Sequence, residues 1–382
     1  MKNPLPQVYG TLLVVRPPVP ATVNKAGANY KSEVTHLEYS PREAYDEWLA
    51  ICEAILACGG DALFQFEAVD EPLLDRGDLR VEPDGSIHPI GSQGAVGQLD
   101  AIQTGRVFTA NGPWVVVEGR ALRGAMPNML AHRRAEAPYY RELFARIAEL
   151  GGYDLDLRET PDRWEGMADV AVVGDRVVLT YAVPGHYDAG LAPKSPRSSR
   201  EGVAFAADVA GVPADARIYA ELVYPHFHGD TVHFGARPTG GRPPVLTHYP
   251  GGVWGDGAAR IADALGAERI VTIGRDDAVD AYAGNSRQVA GGVLVPEGVS
   301  ADFTGALAGM GLSVHPVPLY ELFGKGGGGP ACATLYLPAD LSLPDAAPIR
   351  YSVRRDEARA RRERLPARVE VDPGYFEGRT RG

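Results

Sequence analysis

Short runs that are apolar almost throughout punctuate this chain: Thr11–Arg16, Asp169–Val173, Arg176–Thr180 and Gln288–Val295. Runs of this length rich in Val and Leu leave no polar face, which predicts buried strands. Helical patterning follows at 41–58, 137–150, 199–210, 256–265 and 301–310. Several segments repeat one plan of strand, tight turn, strand and helix. Val107-Phe108 leads through Asn111-Gly112-Pro113 into Trp114–Val117, and Asp169–Val173 turns at Gly174-Asp175 into Arg176–Thr180. Tyr224–Phe234 and Gln288–Val295 follow suit, and Ala333–Leu337 adds one more strand. Repetition of this kind predicts a pseudo-symmetric α/β assembly with its site on the repeat axis.

No Ser/Gly-rich linker divides the chain, so residues 1–345 are expected to form a single domain. Within it, 73–105 is polar and turn-rich and is expected as an inserted loop region. Residues 346–382 form an Arg-rich C-terminal extension, with Arg350, Arg354, Arg355, Arg359, Arg361, Arg362, Arg364 and Arg368 interleaved with acids. A mixed-charge surface helix is the expected form, with a phosphate or oligomer contact as the competing reading.

Charge narrows the function classes. A net charge of −11 argues against general nucleic-acid binding. No run approaches the ~20 apolar residues of a membrane span, and the Met1-Lys2-Asn3-Pro4 start lacks a secretory apolar region. The three cysteines, Cys52, Cys58 and Cys332, have no metal-ligand spacing. A reduced, cytoplasmic setting is expected, with Cys52 and Cys58 in the core.

Cys332 stands apart. It follows Gly326-Gly327-Gly328-Gly329-Pro330-Ala331 and precedes a Leu-Tyr-Leu strand pattern. Polyglycine is entropically costly and is kept where backbone must bend sharply or approach another group closely. The thiol is therefore expected on the floor of a cleft, as a nucleophile, with a buried structural cysteine as the alternative. A thiol needs help to ionise at neutral pH. The segment Tyr224-Pro225-His226-Phe227-His228-Gly229-Asp230 offers it. Were it a strand, His226, His228 and Asp230 would share a face, fit for acid–base work or for a metal. Trp164-Glu165-Gly166-Met167-Ala168-Asp169 adds two carboxylates beside a hairpin, suited to a cationic ligand. Arg133 and Arg197 are candidate carboxylate clamps, although surface arginines of this kind are common.

In this order the motifs resemble those of the guanidino-group-modifying enzymes, the superfamily of arginine deiminases, arginine dihydrolases and amidinotransferases. They stand here as Thr109-Ala110-Asn111, His132-Arg133-Arg134-Ala135-Glu136, Glu165-Gly166-Met167-Ala168-Asp169, Arg197-Ser198-Ser199, His228-Gly229-Asp230-Thr231 and Gly329-Pro330-Ala331-Cys332. The resemblance covers roughly residues 105–337. It implies a five-bladed α/β propeller (pentein) of ββαβ repeats. Cys332, His228, Glu165 and Asp230 are implied to be catalytic, and Asn111, Asp169, Arg133 and Arg197 to bind substrate. No cofactor or metal is implied. Cys332 would attack the guanidinium carbon, and His228, paired with Glu165, would protonate the departing amine.

Departures bear on the substrate. The family's first guanidinium-binding Asp is Asn111 here, as in arginine dihydrolases, and Gly229 replaces a usual Leu. The leading expectation is a hydrolase of arginine or an arginine-like guanidino compound, deiminase or dihydrolase. Amidino transfer to an amine is second, and a non-catalytic binding propeller third. A small-molecule guanidino partner is expected, with no nucleic acid or membrane; a homo-oligomer is left open.

Overall fold

The computed structural model describes residues 10–21, 36–99, 105–187 and 197–376. Five three-stranded sheets share one plan, in which a central strand pairs antiparallel on one side and parallel on the other. Trp114–Glu118, Ala121–Met126 and Asp154–Glu159 make one. Val170–Val173, Arg176–Tyr181 and Arg217–Glu221 make the next. His233–Ala236, Val245–His248 and Ile270–Thr272 follow, then Arg287–Val289, Gly292–Pro296 and Ser313–Val317. The fifth joins the two ends of the chain: Leu335–Tyr336 pairs antiparallel with Leu12–Val14, which runs parallel to Asp61–Leu63.

In each unit a helix links the central strand to its parallel neighbour, because a parallel connection needs a crossover. These helices are Pro41–Ala57, Ala137–Gly151, Arg200–Val209, Gly257–Leu265 and Ala301–Gly309. Ser40, Ser199 and Ser300 cap three of them by accepting a backbone N–H three residues on. In the first helix Ala44, Tyr45, Trp48, Ile51, Cys52 and Ile55 are buried, a stripe at three- and four-residue spacing. Trp48 meets Phe64 edge-on at 5.3 Å and Tyr351 at 6.2 Å, which ties this helix to the C-terminal one, Tyr351–Glu363.

Two sequence expectations need correction. Residues 73–105 carry three short strands, Leu79–Val81, Ser86–Pro89 and Gly97–Gln98. They join Glu38–Tyr39 and the C-terminal Val369–Val371 in a five-stranded sheet. The described part of the region, to residue 99, thus carries sheet: its three strands pair with one another in sequence, and the two that complete the sheet come from elsewhere in the chain, beyond a local pattern. Secondly, Tyr224–Phe234 is not one strand. A 3₁₀ turn at Gly229–Thr231 interrupts it, and only His233–Ala236 is extended in a sheet. The Arg-rich helix pairs its charges: Arg355 and Arg359 with Glu53, Arg362 with Asp46, Arg361 with Glu71, Arg364 with Asp75. No helix among the described residues is long and apolar enough to cross a membrane.

Candidate active site

Loops from several of the units meet at one small cleft, lined by Phe108, Asn111, Arg133, Arg197, Phe227, His228, Gly327 and Cys332. The glycine run has a steric reason. A Cβ on Gly328 would lie 2.4 Å from the Phe108 ring, and one on Gly329 would lie 2.9 Å from Asn285 Oδ1. Gly327 also takes a left-handed φ of 76°. The bare backbone lets this loop press between Phe108 and Asn285 and present Cys332, which is buried but faces the cleft. Cys332 is further tied to the Asn111 turn, since its carbonyl accepts from Ala110 N at 3.0 Å.

Asp230 Oδ2 lies 3.4 Å from Cys332 Sγ. Its other oxygen is buried without a hydrogen-bond partner. Burial pushes this carboxyl up, with His228 and Arg287 only partly offsetting it. Glu165 behaves differently. Burial alone would raise it, but Arg197, the hydrogen bond from His228 and Arg133 hold it well below the usual carboxylate range. Its Oε1 accepts Leu130 N at 3.1 Å; its Oε2 lies 3.0 Å from His228 Nε2 and 3.4 Å from Arg197 Nη1. An ionised carboxylate can only accept, which assigns the Nε2 proton of His228 by the network. Glu165 therefore holds the His228 ring through its Nε2–H.

Asn111 is oriented just as firmly. Arg133 Nη1 donates to its Oδ1, and its Nδ2 donates to Glu165 O at 2.8 Å. An arginine cannot accept and a carbonyl cannot donate, so the amide has one possible sense. Arg133 itself grips Glu136 through two bonds of 2.7 Å and donates to Phe108 O at 3.0 Å. Arg133 lines the cleft, while its charge is answered inside the fold by Glu136 and it also orients Asn111.

Asp169 is relocated. Its carboxylate accepts from Ser198 Oγ at 2.5 Å, Thr180 Oγ1 at 2.8 Å and Gly229 N at 2.9 Å. It does not line the cleft but knots together the strands and loops that deliver Ser198 and His228. Gly229 is glycine because a Cβ there would sit 2.3 Å from Thr180 Oγ1. His226 turns away from His228, its Nδ1 3.1 Å from Thr231 Oγ1. No group of three or more His, Cys, Asp or Glu among the described residues is arranged to hold a metal ion. Arg197 does line the cleft. Sequence reading missed Asn285, buried against Cys332; its only outward signal is a Gly-Asn turn before a strand.

No protein-family model matches the sequence, and no curated protein sequence matches it. Solved structures do. The N-terminal domain of ArgZ, an arginine dihydrolase of cyanobacteria, solved bound to substrate, superposes with a TM-score of 0.60 at 20% identity, covering 85% of this chain and 97% of that one. The chain has the pentein fold. AgrE, solved with ornithine and NAD+, gives the same TM-score and identity, but only 40% of its length is covered. A dimethylarginine dimethylaminohydrolase carrying an S-methyl-L-thiocitrulline adduct gives 0.54 at 17% identity, covering 85% and 99%. These penteins establish a mixed α/β fold of several small sheets, in agreement with the resemblance read from the motifs.

Proposed function

We propose that this protein is a cysteine-dependent hydrolase of a guanidino compound, arginine or a close analogue, with the five like sheets arranged as propeller blades around the cleft. One observation carries the reading: a thiol and an anion-oriented imidazole line one cleft, with a carboxyl buried beside the thiol. Glu165 and Asp230 bring two carboxyls to the site and Asp169 lies behind it, against Arg197 beside Glu165 and Arg287 acting on Asp230. That surplus of acid suits a positively charged guest. Cys332 Sγ would attack the guanidinium carbon while Asp230 holds an N–H edge. His228, held by Glu165 through Nε2, would pass a proton from its other ring nitrogen to the departing nitrogen, leaving an amidino group on sulfur. Water, giving a proton back to His228, would then add to that carbon and break the C–S bond. Arg197, at the cleft wall, suits the substrate's carboxylate.

Asn111 favours hydrolysis of both terminal C–N bonds. Its carbonyl is occupied by Arg133, so it offers a guest no negative charge and retains an N–H. A neutral ureido intermediate loses little by such a change, whereas a cation does. The resemblance to a dihydrolase at the fold level agrees with this choice. Amidino transfer to an amine is the second reading, since the same covalent intermediate serves both.

Mass spectrometry of products from guanidino-15N2-labelled L-arginine, with and without amine acceptors, tests the proposal. Ornithine with two labelled ammonias is expected; citrulline alone would mean a deiminase, and an amidinated acceptor a transferase. Unchanged turnover by Cys332→Ala would overturn the mechanism.

A further inference from the structure

Asn285 is completely buried at the end of the turn Ala283–Asn285. Its Nδ2 lies 3.1 Å from Cys332 Sγ and 3.1 Å from Asp230 O, and its Oδ1 accepts Cys332 N at 3.0 Å. Its own carbonyl accepts Ala331 N at 3.0 Å. The amide can sit in only one sense, because Cys332 N requires an acceptor and Asp230 O a donor. An N–H therefore faces the sulfur.

The sulfur has an awkward neighbour in Asp230 Oδ2 at 3.4 Å. A thiolate beside an ionised carboxylate is disfavoured by like charge, so the two acids compete for one proton. A hydrogen bond to one member of such a pair decides where that proton rests, and bonds to charged acceptors are the strong ones. We infer that Asn285 is a catalytic residue, whose N–H stabilises the Cys332 thiolate and shifts the shared proton from sulfur to the Asp230 carboxyl. The pair keeps one proton and one negative charge throughout; only the proton's position changes. The same side chain clips Cys332 N and Asp230 O, so nucleophile and acid are held at one separation.

The inference rests on Cys332 being the nucleophile but on no particular substrate, and its test uses none. The rate of iodoacetamide alkylation at Cys332, followed by peptide mass spectrometry from pH 5 to 11, gives a midpoint and an alkaline plateau. Asn285→Ala is expected to raise the midpoint by about one pH unit or more, with the plateau within about twofold of wild type. Asn285→Ser, which keeps a shorter donor, should fall between. Superimposable profiles would overturn the role, as would a lowered plateau with an unmoved midpoint, which is what simple loosening of the loop would produce. If Asn285→Ala does not fold, Asn285→Ser and Asp230→Asn decide the matter. The first should raise the midpoint and the second, by removing the competing acid, lower it; no movement in either overturns the inference. Absence of arginine turnover together with the expected shifts would overturn the substrate reading and leave this one standing.

Discussion

Two buried polar regions of this molecule solve the same problem in opposite ways. Behind the Asn111 turn, Arg16, Arg106 and Arg133 meet Glu67, Asp70 and Glu136, three cations against three anions, almost wholly out of water. Arg16 grips Glu67 with bonds of 2.8 and 2.7 Å, and Arg361 of the C-terminal helix reaches Asp70 at 3.8 Å. In the cleft the balance is broken, since among the described residues no salt bridge reaches Asp230, which sits beside a thiol. Desolvating a charge is expensive unless a partner answers it. A region that pairs its acids with arginines holds shape, even where single atoms such as Asp70 Oδ1 find no hydrogen bond; one that leaves acids over is arranged for a guest. Arg133 joins the two, with Glu136 on one side and Asn111 on the other.

If the contrast is right, the largest effects should separate cleanly into activity and stability. His228→Gln keeps an N–H for Glu165 but cannot deliver a proton. Turnover should fall about 10²–10⁴-fold with the melting temperature nearly unmoved. A loss below tenfold would remove His228 from the proton-transfer role. Arg106→Met should do the reverse. It strips Asp70 of its main partner and should cost about 3–5 kcal/mol of unfolding free energy in urea, with turnover per folded molecule retained. Equal damage to both quantities by either variant would erase the distinction.

A third buried group probes the comparison from outside both regions. His233 and His248 face each other across paired strands, ring centroids 5.6 Å apart, and neither ring finds a hydrogen-bond partner. Burial holds His248 down at about 4 and pushes His233 well below its ordinary value, with His248 and His226 adding to the latter. Between pH 6.5 and about 4 the unfolded chain takes up a proton at His248 that the folded chain refuses. Stability from this group is therefore whole above pH 6.5 and drains as pH falls to about 4, by roughly 3 kcal/mol. His248→Leu should flatten that slope in urea titrations at pH 4.5 and 7; an unchanged slope would show that other groups govern acid unfolding.

How much of this could be read from the chain alone follows the range of the interactions. The apolar hairpins around 170–180 and 288–295 and the five crossover helices were legible because each is a local pattern. So was Cys332, since four glycines need a reason. The 224–234 segment misled because an alternation of aromatic and His side chains imitates a strand while Gly229 and Thr180 enforce a turn. Asp169 and Arg133 came as substrate-binding candidates from the motif resemblance; their partners Ser198, Thr180 and Glu136 carry no local mark as partners. Asn285 reaches Cys332 across 47 positions, and nothing local marks it.

The smallest effect tests the contrast most directly. Asp230→Asn should abolish turnover, since an amide cannot take up the proton that Cys332 gives up. Yet it should also stabilise the fold, by about 1 kcal/mol. The native carboxyl is raised by burial, so above its ordinary range the folded chain keeps a cost that the unfolded chain escapes. An amide carries no such cost, and the gain should grow as pH rises from 3 to 7. Chemical denaturation of the two proteins at those two pH values measures it. A destabilised Asp230→Asn would mean that the carboxylate is answered within the fold after all, and the cleft would then belong with the arginine network rather than against it.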